Sequence, residues 1–235
     1  MKALIAIPTA PVLDYGIHEK LWRPTDWDRA NRKWEPPQGR VNGDNSPRDQ
    51  AVRDTWFKHI PEPIVGKFFV GKTGHASEDT IQLDCGDKYV FDLMDKIQQM
   101  CKWALDNGFD KLFKCDDDTF CRRELFEYLS GDTPECASML WGATALSGGP
   151  GYLLGRRAME AVVDTPLTAH PHTNNLEDHW VGESVRAHGI MPTHCGLFLE
   201  EPNVAGFLEH WFTFHPVSPN GMRAMYMEYY QNAGH

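Results

Sequence analysis

The stretch from residue 89 to residue 118 constrains the fold more than any other part of the chain. Val90, Leu93, Ile97, Met100, Cys101 and Ala104 recur at the spacing of one helix face, and Gly108 supplies a C-terminal stop. Lys111-Leu112-Phe113-Lys114-Cys115 then reads as a short strand that runs directly into Asp116-Asp117-Asp118. Further strands are expected at 3–8, 67–70, 81–83 and 139–143, and further helices at 49–59, 120–129, 156–163, 177–188 and 222–231. Strands alternating with helices at these lengths predict an α/β layered domain. The 235 residues suit one domain spanning 1–235. Residues 14–47, rich in Pro, Gly, Asn, Asp, Arg and Trp and without periodicity, are expected to form a long loop insertion that shapes part of a ligand site.

The formal charge of −10 disfavours a phosphate-backbone partner, which needs a Lys/Arg surface. The apolar run at residues 1–8 is too short for a signal peptide or a membrane span, and no window approaches about 18 apolar residues. A soluble protein is expected, in the cytoplasm of a bacterium or of a virus-infected cell. The six cysteines include no C-x-x-C pair, which argues against a zinc ribbon and for reduced thiols.

Three successive carboxylates at a strand end repel one another, and a divalent cation removes that cost. Oxygen ligands select hard ions such as Mg²⁺ or Mn²⁺, and the carboxyl ends of strands are where α/β sheets place ligands. The triplet therefore suggests a metal holding a diphosphate; a solvated acidic turn or helix cap is the other reading. Ser147-Gly148-Gly149-Pro150-Gly151 lets a backbone approach a ligand closely, or is a plain turn. It is not a Walker loop, because no G-K-[ST] follows.

The context of the triplet is more specific. Lys114-Cys115-Asp116-Asp117-Asp118-Thr119-Phe120 resembles the K-x-D-D-D-T-[YF] segment of the fringe and core-1 β1,3-galactosyltransferase family. Residues 48–56 (R-D-Q-A-V-R-D-T-W) resemble that family's R-x-x-x-I-R-x-T-W helix. Residues 79–89 match its D-I-L-x-x-D-x-x-D-x-Y stretch at Asp79, Asp84, Asp87 and Tyr89. S-G-G-P-G-Y-L-L at 147–154 is similar to S-G-G-A-G-Y-V-L, Glu177-Asp178 to the E-D of E-D-V-x-x-G, and Thr213-Phe214-His215-Pro216 to the T-F-H-P tail of the core-1 branch. The segments fall in the family's order. The chain departs from the pattern at the 14–47 insertion, at Leu93 and Lys96 (one residue late), at His179 (for an apolar residue) and at Gly155 (for Ser).

The resemblance implies a GT-A fold, a Rossmann-like mixed sheet flanked by helices, and an inverting transfer from a UDP-sugar to a hydroxyl acceptor, in a bacterial, phage or viral member. It implies Mn²⁺ (or Mg²⁺) held by Asp116, Asp118 and His215, with His210 as the nearby decoy. It implies donor contacts from Pro8, Thr9, Arg53, Asp87, Lys114, Asp116, Asp117, Gly148 and Gly149. Asp178 is the expected general base, since inversion requires a carboxylate to take the acceptor proton; a helix N-terminal acid is the structural alternative. Trp180 and Glu177 are the expected acceptor contacts, Glu177 with a structural alternative. Arg53 alternatively pairs with Asp84 or Asp87. The acceptor is a glycan, a protein or a lipid-linked sugar. Alternatives are a hydroxymethylated DNA base of a phage, a catalytically inactive nucleotide-sugar or glycan-binding module, and a metal-dependent phosphatase.

Overall fold

The computed structural model describes residues 2–9, 47–87, 89–141, 145–168, 176–200, 211–217 and 219–231. Residues 10–46, which carry almost all of the expected insertion, and His210 lie outside them. A seven-stranded sheet has the order β10-β6-β9-β4-β1-β2-β3. Its strands are β1 (Ala3–Pro8), β2 (Val65–Val70), β3 (Thr80–Gln82), β4 (Lys111–Lys114), β6 (Cys136–Ser138), β9 (Tyr152–Gly155) and β10 (Thr193–His194). β9 runs antiparallel to both β4 and β6; the other pairings in the sheet are parallel. The fold is therefore mixed α/β with a mostly parallel central sheet.

Period-2 alternation divides the sheet between two cores. Leu4 and Ala6 of β1 and Leu112 of β4 face one; Ala3, Ile5, Ile7 and Phe113 face the other. On the first face lie α2 (Tyr89–Asp106), α4 (Arg156–Asp164) and α5 (Glu177–Ala187), which bury Ile97, Met100, Cys101, Ala104, Met159, Val162, Trp180 and Val185. The second face takes α1 (Pro47–Asp54), α3 (Arg123–Ser130) and α6 (Pro219–Tyr226), through Val52, Leu125, Phe126, Leu129 and Met222.

Several local expectations shift for tertiary reasons. The helix expected at 49–59 stops at Asp54, where Thr55 Oγ1 donates back to the Ala51 carbonyl at 2.6 Å, and resumes only as a 3₁₀ turn at Phe57–His59. The helix expected at 120–129 begins at Arg123, because β5 (Phe120–Cys121) pairs instead with β12 (Thr213–His215). Of the strand expected at 139–143, the described residues show only β7 (Leu140–Trp141), which pairs antiparallel with β8 (Ala145–Leu146); the strand of the main sheet, β6, ends earlier, at Ser138. β11 (Phe198–Glu200) completes a second sheet, β11-β12-β5.

Candidate active site

The sheet order reverses between β1 and β4. β2 lies on one side of β1 and β4 on the other, so their carboxyl ends open a crevice at the point where α/β sheets hold ligands. Pro8 and Thr9 end β1, and Asp116-Asp117-Asp118 follow β4. The backbone of this loop is held from several directions. The Cys115 N–H donates to the Ala6 carbonyl, the Asp116 N–H to the Gly149 carbonyl, and the Val217 N–H to the Asp118 carbonyl. Thr119 Oγ1 donates to the Gly149 carbonyl at 2.7 Å, and the buried Trp56 indole donates to the Thr119 carbonyl at 3.0 Å.

β12 brings His215 into this loop although it lies far along the chain. His215 Nε2 stands 3.1 Å from Asp118 Oδ1 and 3.9 Å from Asp116 Oδ2. One potential ligand atom each from Asp116, Asp118 and His215 lies within 4.8 Å of the others. Two carboxylate oxygens and an imidazole nitrogen form a donor set that could hold a divalent metal ion. The glycine beside them is dictated by the ring: a Cβ on Gly149 would lie 2.2 Å from His215 Cε1.

Arg48, at the start of α1, completes the charge arrangement. Its Nη1 lies 3.0 Å from Asp118 Oδ2 and 3.3 Å from Asp117 Oδ1. Burial pushes the Asp118 carboxyl up, but Arg48 and His215 outweigh it and hold it well below the usual carboxylate range. Asp117 goes the other way: burial, opposed by Arg48 and reinforced by Asp49, Asp118 and Asp116, pushes it up to about 7. Thr9 Oγ1 lies 2.7 Å from Asp49 Oδ1 and 3.3 Å from Asp117 Oδ2.

Lys114 is 1% exposed and ties the triplet to α5. Its Nζ lies 2.7 Å from Asp116 Oδ1 and 3.1 Å from Glu177 Oε1, and donates to the Gly148 carbonyl at 3.0 Å. Burial pushes the Glu177 carboxyl up to about 7 against the pull of Lys114. Glu177 also accepts from Tyr152 Oη at 3.0 Å. Asp178 turns the other way and stays partly exposed. Its Oδ2 accepts from the Gly148 N–H at 3.1 Å and its Oδ1 from the His179 N–H at 2.8 Å. Asp178 thus rests on Gly148 and His215 on Gly149, so one peptide unit sets the spacing between them.

Not every expected site residue joins this cluster. Trp180 is fully buried in the core beneath α5, and Glu177, at 6% exposure, is spent on Lys114 and Tyr152. The side chains of both are thus buried, and Glu177 takes the structural role. Arg53 pairs with Asp79, at 2.7 Å from Nε, not with Asp84 or Asp87, and its guanidinium stacks on Phe68. That contact is structural. Asp87 accepts from Lys96 Nζ, the Gly71 N–H and Thr73 Oγ1, and the same Lys96 Nζ donates to the Thr9 carbonyl at 2.8 Å. Asp87 therefore braces the end of β1. Arg48 received no role from the sequence, although it opens the R-x-x-x-x-R-x-T-W segment; its position five residues before Arg53 was the available signal.

No protein-family model and no curated protein sequence matches the chain. Among solved structures it is similar to a putative nucleotide-diphospho-sugar transferase from Desulfovibrio desulfuricans G20, at 10% identity and a TM-score of 0.44 over 83% of this chain and 80% of that one. It is also similar to a CMP:2-keto-3-deoxy-manno-octonic acid synthetase complexed with CTP, at 13% identity and a TM-score of 0.45 over 83% of this chain and 90% of that one. A cytidylyltransferase from Leptospira borgpetersenii gives 14% identity and a TM-score of 0.44 over 88% and 79%. At these values the likeness is loose, and the case for function rests on the site's own residues. Among the described residues no helix is long and apolar enough to cross a membrane.

Proposed function

We propose that this protein is a metal-dependent, inverting glycosyltransferase that moves a sugar from a UDP-sugar to a hydroxyl acceptor. The observation that carries the reading is the convergence of Asp116, Asp118 and His215 at the reversal point of the sheet, with Asp178 seated on the adjoining glycine. The donor set fits Mn²⁺, held by Asp116, Asp118 and His215. Bound there, the ion would supply Lewis-acid neutralisation of the diphosphate leaving group. The motif resemblance supports the UDP-sugar and the inverting course.

The chain's own residues supply the rest. Asp178 accepts the proton of the acceptor hydroxyl as that oxygen attacks the anomeric carbon. The two N–H groups on its oxygens fix the carboxylate and leave each oxygen a further lone pair with which to accept a proton. Lys114 holds Asp116 and the Gly148 carbonyl, and so keeps the base and the metal ligands in one frame. Thr9 and Asp117 close the β1 side of the crevice. A glycan, protein or lipid-linked acceptor suits an acidic chain better than DNA.

The test is Asp178→Asn, assayed by UDP release from a panel of UDP-sugars with Mn²⁺, water serving as acceptor. Turnover should fall by about 10²–10⁴-fold while Mn²⁺ and UDP affinities stay near wild type. A variant that turns over at the wild-type rate removes Asp178 from the role of base. A wild-type protein that hydrolyses no nucleotide-sugar favours a binding module.

A further inference from the structure

We infer that Arg48 is an exchangeable counter-ion of the aspartate loop, occupying Asp118 before the donor arrives and passing to the donor's phosphate when a divalent cation takes Asp118. The inference rests on the metal site proposed above and adds the residue that couples metal binding to nucleotide binding.

The argument starts from the two oxygens of Asp118. Oδ1 faces His215 Nε2 at 3.1 Å, and Oδ2 faces Arg48 Nη1 at 3.0 Å. Lys114, by contrast, is committed to Asp116, Glu177 and the Gly148 carbonyl and is fully enclosed. Without a cation the loop carries three carboxylates within a few residues, and the guanidinium offsets part of that charge. A divalent ion held by Asp118 would share that one carboxylate with the guanidinium. Two cations that close repel strongly in a partly buried site. The guanidinium must then leave Asp118 or weaken the ion.

Arg48 can leave. Its side chain is 22% exposed, sits at the start of α1 and belongs to neither hydrophobic core; leaving Asp118 also gives up its 3.3 Å contact with Asp117. The nucleotide's diphosphate brings the anion that a guanidinium binds in fork geometry. Before the donor arrives, Arg48 opposes the metal; once it has arrived, Arg48 holds it. Linkage then makes metal and nucleotide bind cooperatively, each strengthening the other by the same factor.

The test uses the full chain and two probes, Mn²⁺ alone and UDP. Free Mn²⁺ is followed by electron paramagnetic resonance for wild type, Arg48→Gln, Arg48→Met and Arg48→Lys, with thermal melts in chelator to establish folding. Without nucleotide, the Gln and Met variants should bind Mn²⁺ about tenfold more tightly than wild type, and the Lys variant should stay within about threefold. At saturating Mn²⁺, calorimetry should show UDP bound about tenfold more weakly by Gln and Met. A merely structural Arg48 would not move the two affinities in opposite directions. Equal or weaker Mn²⁺ binding by both neutral variants, or unchanged UDP affinity, overturns the role of Arg48. Wild type that binds no Mn²⁺ overturns the metal reading itself.

Discussion

Replacing Gly149 by Ala tests the metal site without touching a ligand. The new Cβ would stand 2.2, 2.3 and 2.6 Å from Cε1, Nδ1 and Nε2 of His215. Carbon contacts settle at about 3.5–4.0 Å, so the imidazole must retreat by more than about 1 Å. Ligand distances tolerate only about 0.2 Å, and a displacement of that size removes the nitrogen from the site. The backbone is no obstacle, because among the described residues the left-handed glycines are Gly108, Gly151 and Gly189 and not Gly149. The atoms that clash are the far end of a side chain that can rotate. Stability should therefore fall by no more than about 1–3 kcal/mol. Groups that only orient a metal ligand are worth about 10–100-fold in affinity, so losing the ligand itself should cost about 100-fold or more. The assay is a Mn²⁺ titration of wild type, Gly149→Ala, His215→Ala and the double variant. The two substitutions should fail to add, the double variant binding no more weakly than His215→Ala. Wild-type Mn²⁺ affinity in Gly149→Ala, or additive losses in the double variant, would refute the reasoning.

Two further outcomes follow from the polar network. Lys114→Met leaves the buried Glu177 and the partly exposed Asp116 without their cation and should cost about 3–5 kcal/mol by urea unfolding, with partial recovery on adding Glu177→Gln; an unchanged midpoint would show that the pairs contribute nothing. Asp79 reports on acid stability: burial pushes its carboxyl up, but hydrogen bonds from Arg53, Ser77 and Thr80 hold it at about 2. A folded value below the unfolded one means stability that is full above about pH 4 and lost as the pH falls towards about 2. The side chain keeps 31% of its surface, so screening reduces the effect to about 1 kcal/mol. Unfolding at about pH 5 and about pH 2.5 should show that Arg53→Met removes most of this difference, and an equal acid loss in wild type and variant would rule the pair out.

The sequence by itself determined the elements whose signals are local. The apolar run of β1, the apolar face of α2 and the strand that ends in Asp116-Asp117-Asp118 are read from side chains close together in the chain, where local pattern carries the information. The inward set of α5 was legible too. Glu177, Trp180, Val181, Ser184 and Val185 recur at the spacing of one buried face, with Asp178 at its edge, about 20° from Val185. What only the tertiary structure decided is the meeting of distant segments. Phe120–Cys121 is a strand only because Thr213–Phe214 supply its hydrogen bonds, and that pairing is what carries His215 to Asp118. β9 lies antiparallel between β4 and β6, and so lays Gly148 and Gly149 against the aspartate loop. Arg48 reaches the same loop from the helix on the opposite side of the crevice. Such contacts depend on strand order and loop closure, and no spacing within a single segment encodes them.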